Sequence, residues 1–136
     1  MKQILVRIQR GLAWVILVDM VVQVFLAGVG VFHAASIEFH LYNGAFIALA
    51  CLLNLALSFA HRPLVKWSAL LMGLMVVQVA LVELGGVSLF ISALHPVNAL
   101  LLIYTAQRLV RLPLPAPAAS PSVVAAPAKL SAGSRA

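Results

Sequence analysis

Two His-x-x-Asn motifs carry the side chains in this sequence that are best suited to chemistry. His40 precedes Asn43 by three residues, and His95 precedes Asn98 by the same spacing. Residues i and i+3 share one face of an α-helix, so each imidazole would have an amide one turn away. Imidazole is a common ligand of haem iron, and a hydrogen bond to one ring nitrogen orients the other. The motifs therefore indicate two histidines that could bind a metal or a cofactor.

The two motifs belong to a longer pattern that occurs twice. The string MVVQV begins at position 20 and again at position 75, so Gln23 and Gln78 lie 55 positions apart. The two histidines and the two asparagines are separated by the same 55 positions. Polar side chains in apolar helices usually hydrogen-bond to neighbouring helices. Three such matches at one offset predict a tandem duplication.

Our sharper hypothesis is that His40 and His95 are the two axial ligands of a b-type haem. Imidazoles from facing helices would lie at equal depth on either side of the iron. Gly44 and Ala99 follow the two asparagines and are small enough for a flat macrocycle to approach. The polar side chains around such a cofactor would be the amides of both repeats: Asn43, Asn98, Gln23 and Gln78.

Two other interpretations compete with this hypothesis. In one, the histidines and amides only hydrogen-bond across helices, and the chain is a non-catalytic membrane subunit or assembly factor. In the other, Asp19, the only carboxyl group deep in an apolar run, supports transport of a small solute or of protons. Its counterpart at the offset of 55 is Leu74, and no Lys or Arg lies at its depth. We therefore expect Asp19 to be neutral or to contact Asn54 or water.

The elements that would position these side chains are four apolar runs. The chain has 136 residues, of which 64% are hydrophobic and only 9% are charged, against about 25% charged in soluble domains. A transmembrane helix needs roughly 20 apolar residues. Four runs reach or approach this length, at 11–32, 39–60, 67–86 and 94–110. The sequence therefore predicts an all-α integral membrane four-helix bundle surrounded by lipid.

The basic residues lie on one side of these four runs. The chain carries nine Lys and Arg and a formal net charge of +6. None of the nine lies between the first and second runs or between the third and fourth. This positive-inside pattern predicts that both termini face the cytoplasm. The charge thus sets orientation and does not indicate binding to nucleic acid.

The duplication and the charges together predict the domain organisation. Residues 1–110 would form the membrane domain, with one helical hairpin at about 7–60 and a second at about 62–110. Hairpins of the same orientation make a parallel repeat about an axis along the membrane normal. Residues 111–136 hold five of the seven prolines, and we expect a disordered cytoplasmic tail there.

Three strings in the apolar runs are distinctive: QVFLAG in the first, HLYNG in the second and LHPVNALLL in the fourth. Over about residues 10–110 the chain resembles a family of small bacterial four-span membrane proteins, a family catalogued as a domain of unknown function. The resemblance implies a four-span fold and brings no activity, cofactor or catalytic residue. The placement of histidines on bundle helices also resembles, in architecture, that of small haem-b membrane cytochromes.

The motifs of common enzyme classes are absent from the sequence. It contains no Gly-rich phosphate loop, no nucleophile elbow, no His-Glu-x-x-His zinc motif and no pair of cysteines. We therefore name no catalytic residue and leave open whether the chain is an enzyme. The partners we expect are lipid and either further copies of the chain or a larger membrane complex.

Overall fold

Residues 2–113 are described by a computed structural model, with the side chain of Lys2 excepted, and every regular element in this range is helical. The first three helices are α1 (Lys2–Val31), α2 (Glu38–Ser58) and α3 (Arg62–Glu83). A 3-10 turn at Leu84–Gly86 and the one-turn helix α4 (Leu89–Ser92) lead to α5 (His95–Arg111). Apart from its first three residues, the predicted tail at 111–136 lies outside the described residues.

The predicted all-α class and the four long apolar helices are confirmed for the described residues. The segments Gln3–Val31, Glu38–Ser58, Arg62–Gly86 and Leu89–Arg111 are each long and apolar enough to cross a membrane. Their order and spacing follow the four apolar runs of the sequence. The fold is therefore four long helices joined by short connections.

Helix α1 begins nine residues earlier than the predicted start of the first span at residue 11. It is 30 residues long, which at 1.5 Å per residue corresponds to about 45 Å. The hydrocarbon core of a bilayer is only about 30 Å thick. Arg7 and Arg10 therefore lie inside the helix rather than before it, because the apolar run marks only the part of a helix that suits lipid.

Proline and charge explain where the other long helices start and stop. Pro63 and Pro96 occupy the first positions of α3 and α5, where a missing N–H removes no helical hydrogen bond. Helix α2 has Glu38 in its first turn, and α5 has Arg108 and Arg111 in its last turn. These charges are favourable at the respective ends of the helix dipole.

The four long helices pack as an antiparallel bundle in which each helix contacts two neighbours. Helix α1 packs against α2 and α5, and α3 packs against the same two helices. Helices α2 and α5 therefore stand at opposite corners of the bundle. This arrangement places the starts of α2 and α5, which carry the two histidines, across the bundle from each other.

Buried positions repeat at the offset of 55 in both pairs of helices. In α1 and α3 the corresponding buried pairs are Gln9 and Leu64, Ala13 and Ser68, Ile16 and Leu71, and Met20 and Met75. In α2 and α5 they are Ile47 and Leu102, Ala50 and Thr105, Cys51 and Ala106, and Asn54 and Leu109. The two hairpins therefore bury equivalent faces, while many large apolar side chains on the other faces are exposed.

The two ends of the bundle differ in charge. We call one the basic end, because it holds every described Lys and Arg side chain: Arg7, Arg10, Arg62, Lys66, Arg108 and Arg111. There the Arg108 guanidinium lies 5.1 Å from the centroid of the Trp67 ring, which joins α5 to α3. We call the other the histidine end, because His40 and His95 lie there. Its connecting segments, residues 32–37 and 84–94, contain no Lys or Arg.

Candidate functional site

In the first hairpin, Gln23, His40 and Asn43 form one hydrogen-bonded cluster between α1 and α2. The Gln23 side chain donates from Nε2 to the His40 backbone oxygen at 2.9 Å and accepts at Oε1 from Asn43 Nδ2 at 2.8 Å. His40 Nδ1 lies 3.2 Å from the Gln23 backbone oxygen, and its Nε2 lies 3.4 Å from Gln23 Nε2. Because a carbonyl only accepts, Nδ1 carries the ring proton and Nε2 carries the lone pair.

The second hairpin repeats this cluster with Gln78, His95 and Asn98. His95 Nδ1 donates to the Gln78 backbone oxygen at 3.2 Å, and its Nε2 accepts from Gln78 Nε2 at 2.9 Å. Asn98 Nδ2 donates to Gln78 Oε1 at 2.7 Å and to the Leu74 backbone oxygen at 2.9 Å. Equivalent atoms thus hold both imidazoles in the same tautomer, and all six site residues that the sequence singles out lie at the histidine end.

The two imidazoles approach each other across the bundle. The ring centroids of His40 and His95 are 6.2 Å apart, and the rings are tilted by 59°. Metal–imidazole bonds of about 2 Å on each side place two ring centroids roughly 6 Å apart. A benzoquinone hydrogen-bonded to both rings would separate the centroids by more than roughly 10 Å. The spacing equals that of two imidazoles on one metal ion and is shorter than a benzoquinone between both rings would require.

A cavity of about 570 Å³ borders both imidazoles, and pockets for small molecules measure about 300–1,000 Å³. All four long helices contribute to it, and most lining residues form pairs at the offset of 55. The first-hairpin members of these ten pairs are Met20, Gln23, Val24, Ala27, His40, Leu41, Gly44, Ala45, Ile47 and Ala48. Polar lining comes from the two histidines, the two glutamines and Glu83. The cavity is therefore an apolar space with two matched polar groups at one end.

The small residue predicted beside the first histidine lies against its glutamine. A Cβ atom added at Gly44 would stand 3.1 Å from Gln23 Nε2, closer than side chains normally approach. The equivalent Ala99 also lines the cavity. Gly44 therefore leaves room for the Gln23 amide and adds open space beside His40.

The side chains around the pair, within the described residues, do not complete a site for a bare metal ion. Within residues 2–113, no group of three or more His, Cys, Asp or Glu side chains is placed to hold a metal ion. A structural zinc ion takes four protein ligands. Two imidazoles would leave most positions of a bare ion unfilled, whereas a haem brings four nitrogen ligands of its own and needs only axial ones.

Each glutamine contacts both ring nitrogens of its imidazole. Their backbone carbonyls accept from Nδ1, which is the usual way in which a metal-binding histidine is oriented. Their side-chain amides occupy Nε2, the nitrogen that would bind a metal. Each amide must turn away before its imidazole can act as a ligand. Each cluster is thus a hydrogen-bonded clasp between two helices, and its imidazole has the orientation that a metal-binding histidine would have.

Asp19 contacts Asn43, and the expected contact with Asn54 is wrong. The Asp19 carboxyl group hydrogen-bonds the Asn43 side chain. Its Oδ2 atom is buried and has no hydrogen-bond partner among residues 2–113. The reason for the error is depth, because Asn54 lies near the basic end of α2 and is bound by other side chains there. Asp19 therefore belongs to the surroundings of the first cluster.

A second polar cluster, at the basic end, is not predicted from the sequence. Gln9, which is only 1% exposed, donates to Ser68 Oγ at 3.1 Å and to the Asn54 backbone oxygen at 3.3 Å. Asn54 returns a bond to the Gln9 backbone oxygen at 3.2 Å, and Ser68 Oγ donates to Asn54 Oδ1 at 2.9 Å. Gln9 precedes the predicted span, but its i+4 spacing to the buried Ala13 is the signal that would have found it.

The remaining two histidines lie away from this pair. His33 is in the connection between α1 and α2, with a left-handed backbone at φ 56°. His61 is the residue before α3, at the basic end. Neither is among the residues that line the cavity. They therefore serve as natural controls for the pair.

Comparison with known families gives one match. The sequence pattern of a family of unknown function, DUF6220, matches residues 23–86. This part of the chain is similar to that family. The match includes Gln23, His40, Asn43 and Gln78 and stops before His95, so it is narrower than the resemblance at about 10–110 that the sequence strings indicate. No curated protein and no solved structure matches the chain.

Proposed function

We propose that the chain is an integral membrane protein that binds a b-type haem between His40 and His95. The observation that carries this proposal is the 6.2 Å separation of the two ring centroids, which agrees with two metal–imidazole bonds. The Nδ1 hydrogen bonds to two backbone carbonyls support it, because they leave Nε2 as the donor nitrogen of each ring. The adjoining apolar cavity supplies space for a macrocycle.

The residues around the pair have distinct parts in this proposal. A bound haem would supply one-electron redox chemistry. The backbone carbonyls of Gln23 and Gln78 would orient the imidazoles, and Asn43 and Asn98 would hold the glutamine side chains once their amides leave Nε2. The sequence has no Lys or Arg from 11 to 61 or from 67 to 107. The haem propionates would therefore be hydrated by water at the histidine end and not paired with a basic side chain.

The proposal includes an orientation and an origin for the bundle. The basic end would face the cytoplasm of a bacterial inner membrane, since Lys and Arg are enriched in cytoplasmic segments. The two hairpins would descend from one duplicated unit and be related by an axis along the membrane normal. Matching hydrogen bonds, buried positions and cavity-lining pairs, all at the offset of 55, support the duplication.

A non-catalytic membrane subunit or assembly factor is the second candidate, and one observation favours it. Gln78 Nε2 lies 2.9 Å from His95 Nε2, so the clasp in the second hairpin is already satisfied without a ligand. Under this alternative the six polar side chains only join helices. Transport through Asp19 has less support, since Asp19 is not among the residues that line the cavity.

The test of haem binding is an absorption spectrum of the purified full chain from haem-sufficient cells. We expect a reduced-minus-oxidised spectrum of b-type haem in the wild type. His40→Ala and His95→Ala should each lose that spectrum or shift it to that of a single-histidine haem, because each removes one axial ligand. A wild type that has normal helical content but no haem absorption would favour the alternative in which the six polar side chains only join helices.

Two matched variants control for unspecific effects of removing a histidine. His33→Ala and His61→Ala change residues outside the cavity lining, so their spectra should equal that of the wild type. Loss of haem in either control to the same extent as in His40→Ala would contradict ligation by the pair. Retention of an unchanged spectrum in both His40→Ala and His95→Ala would contradict it equally.

A further inference from the structure

The two halves of the site differ in one acceptor. Asn43 and Asn98 each donate to the neighbouring glutamine side chain, at 2.8 and 2.7 Å. Asn98 also donates to the Leu74 backbone oxygen at 2.9 Å, whereas Asn43 hydrogen-bonds the Asp19 carboxyl group. Positions 19 and 74 are equivalent at the offset of 55. The second acceptor for the asparagine is therefore a carboxyl group in the first half of the site and a neutral backbone carbonyl in the second half.

The Asp19 carboxyl group has no basic partner in its surroundings. Its Oδ2 atom is buried and unpartnered within the described part of the chain. The described Lys and Arg side chains all lie at the basic end, and none occurs in the sequence between Arg10 and Arg62. A carboxylate with a buried, unpartnered oxygen and no counter-charge is costly in an apolar medium. A positive charge at the neighbouring His40 side of the pair would offset part of that cost.

We infer that Asp19 is a positioning residue whose charge stabilises the oxidised form of the bound haem. The inference rests on the proposed haem binding. A ferric haem with two neutral imidazoles carries a net positive charge at its centre, and one-electron reduction removes it. Asp19 stands one turn before Gln23 and hydrogen-bonds Asn43, so its charge acts on the His40 side of the pair. Its carboxylate therefore favours ferric over ferrous iron and lowers the midpoint potential.

The test is a potentiometric titration of the purified full-length protein with redox mediators, followed by absorption. Asp19→Asn removes the charge and keeps the size and hydrogen-bonding ability of the side chain. We expect the ferrous-to-ferric ratio at the wild-type midpoint to rise about tenfold, which corresponds to 59 mV for a one-electron couple. Asp19→Glu retains the charge and should rescue most of this change.

A control variant separates this effect from that of an exposed carboxyl group at the histidine end. Glu38 lies in the first turn of α2 and is exposed. Water and salt screen exposed charges, so Glu38→Gln should change the ratio by less than about twofold. A shift in Glu38→Gln as large as in Asp19→Asn would contradict a specific role for Asp19.

The outcomes distinguish this inference from the proposal on which it rests. A haem-bearing Asp19→Asn with the wild-type potential overturns the inference and leaves haem binding standing. Equal shifts in Asp19→Asn and Asp19→Glu overturn it too, because shape rather than charge would then matter. A wild type without haem overturns both. Loss of haem in Asp19→Asn alone, with helicity kept and Asp19→Glu loaded, supports the inference.

Discussion

Each imidazole of the pair is held by a single glutamine at two atoms, the backbone carbonyl and the side-chain amide. The carbonyl contact fixes the tautomer, and the amide contact occupies the nitrogen that would bind iron. Substitution of the glutamine side chain removes only the second contact. The fold and the proposed haem site would therefore make opposite demands on Gln23 and Gln78.

Gln78→Leu should separate these two demands. The substitution removes an interhelical hydrogen-bonding group, so unfolding of the haem-free protein in detergent should become easier by about 0.6–2 kcal/mol. It also frees His95 Nε2, so a haem titration should show tighter binding than in the wild type. Gln107→Leu, in α5 at the basic end, is the control and should leave haem affinity unchanged. Weaker haem binding in Gln78→Leu would contradict the interpretation that the Gln78 amide blocks His95 Nε2.

The offset of 55 predicted many residues of the candidate site from the sequence alone. It selected the two histidines, the two asparagines and the two glutamines, and the structure brings all six to one end of the bundle, although their role in binding is still a prediction. It could not select Gln9 or Asp19, whose counterparts at that offset are Leu64 and Leu74, and so it could not predict their contacts. Those contacts depend on how deeply each helix extends, which spacing along the sequence does not determine.

At the level of elements, two glycines allow the helices at the histidine end to meet their connections closely. A Cβ atom at Gly30 would overlap the Ile37 side chain, and one at Gly85 would overlap Ser92. The two contacts are related by the same offset of 55. The turn after α1 and the turn after α3 are therefore packed in equivalent ways, although the second contains the additional helix α4.

Gly30→Ala should destabilise the protein, and Gly28→Ala is its matched control in the same helix. The added methyl group at Gly30 would be forced against Ile37, which should cost about 1–3 kcal/mol in unfolding free energy. Nothing lies within 4 Å of a Cβ atom at Gly28, so alanine there should stabilise α1 by about 0.5–1 kcal/mol. Detergent unfolding followed by circular dichroism measures both. Equal effects of the two substitutions would contradict the close approach.

Apolar runs predicted the number and order of the long helices. In lipid, an apolar stretch of this length can satisfy its backbone hydrogen bonds within itself only as a helix. They did not predict where α1 starts, since Arg7 and Arg10 lie on a helix that continues beyond the apolar part. They also did not separate α4 from α5, because both are apolar. The break between them lies just before Pro96, which has no backbone N–H with which to continue the hydrogen bonds of α4.

For the whole molecule, the separation of charge between the two ends predicts the orientation in the membrane. Single cysteines at Ala35 and Ala60 in a Cys51→Ala background would report on the histidine end and the basic end, respectively. A membrane-impermeant maleimide added to spheroplasts should label the cysteine at position 35, and the one at position 60 only after permeabilisation. The reverse labelling pattern would contradict the proposed orientation.

The volume of the cavity depends on how the four helices pack together, so it could not be predicted from the sequence. Its lining could be anticipated in part, since ten pairs obey the offset of 55. Its size depends on the distances between helix axes, which are set by packing at the basic end as well as at the site. The Gln9 cluster joins α1, α2 and α3 there.

The spin state of the ferric protein tests the pairing of His40 and His95 most directly. Two imidazoles on one iron give a low-spin ferric haem, whereas a single imidazole leaves it high-spin. Electron paramagnetic resonance of the purified wild type should therefore show a low-spin ferric signal, which either single alanine variant abolishes. A high-spin wild-type signal, or a low-spin signal that survives loss of either histidine, would contradict the account.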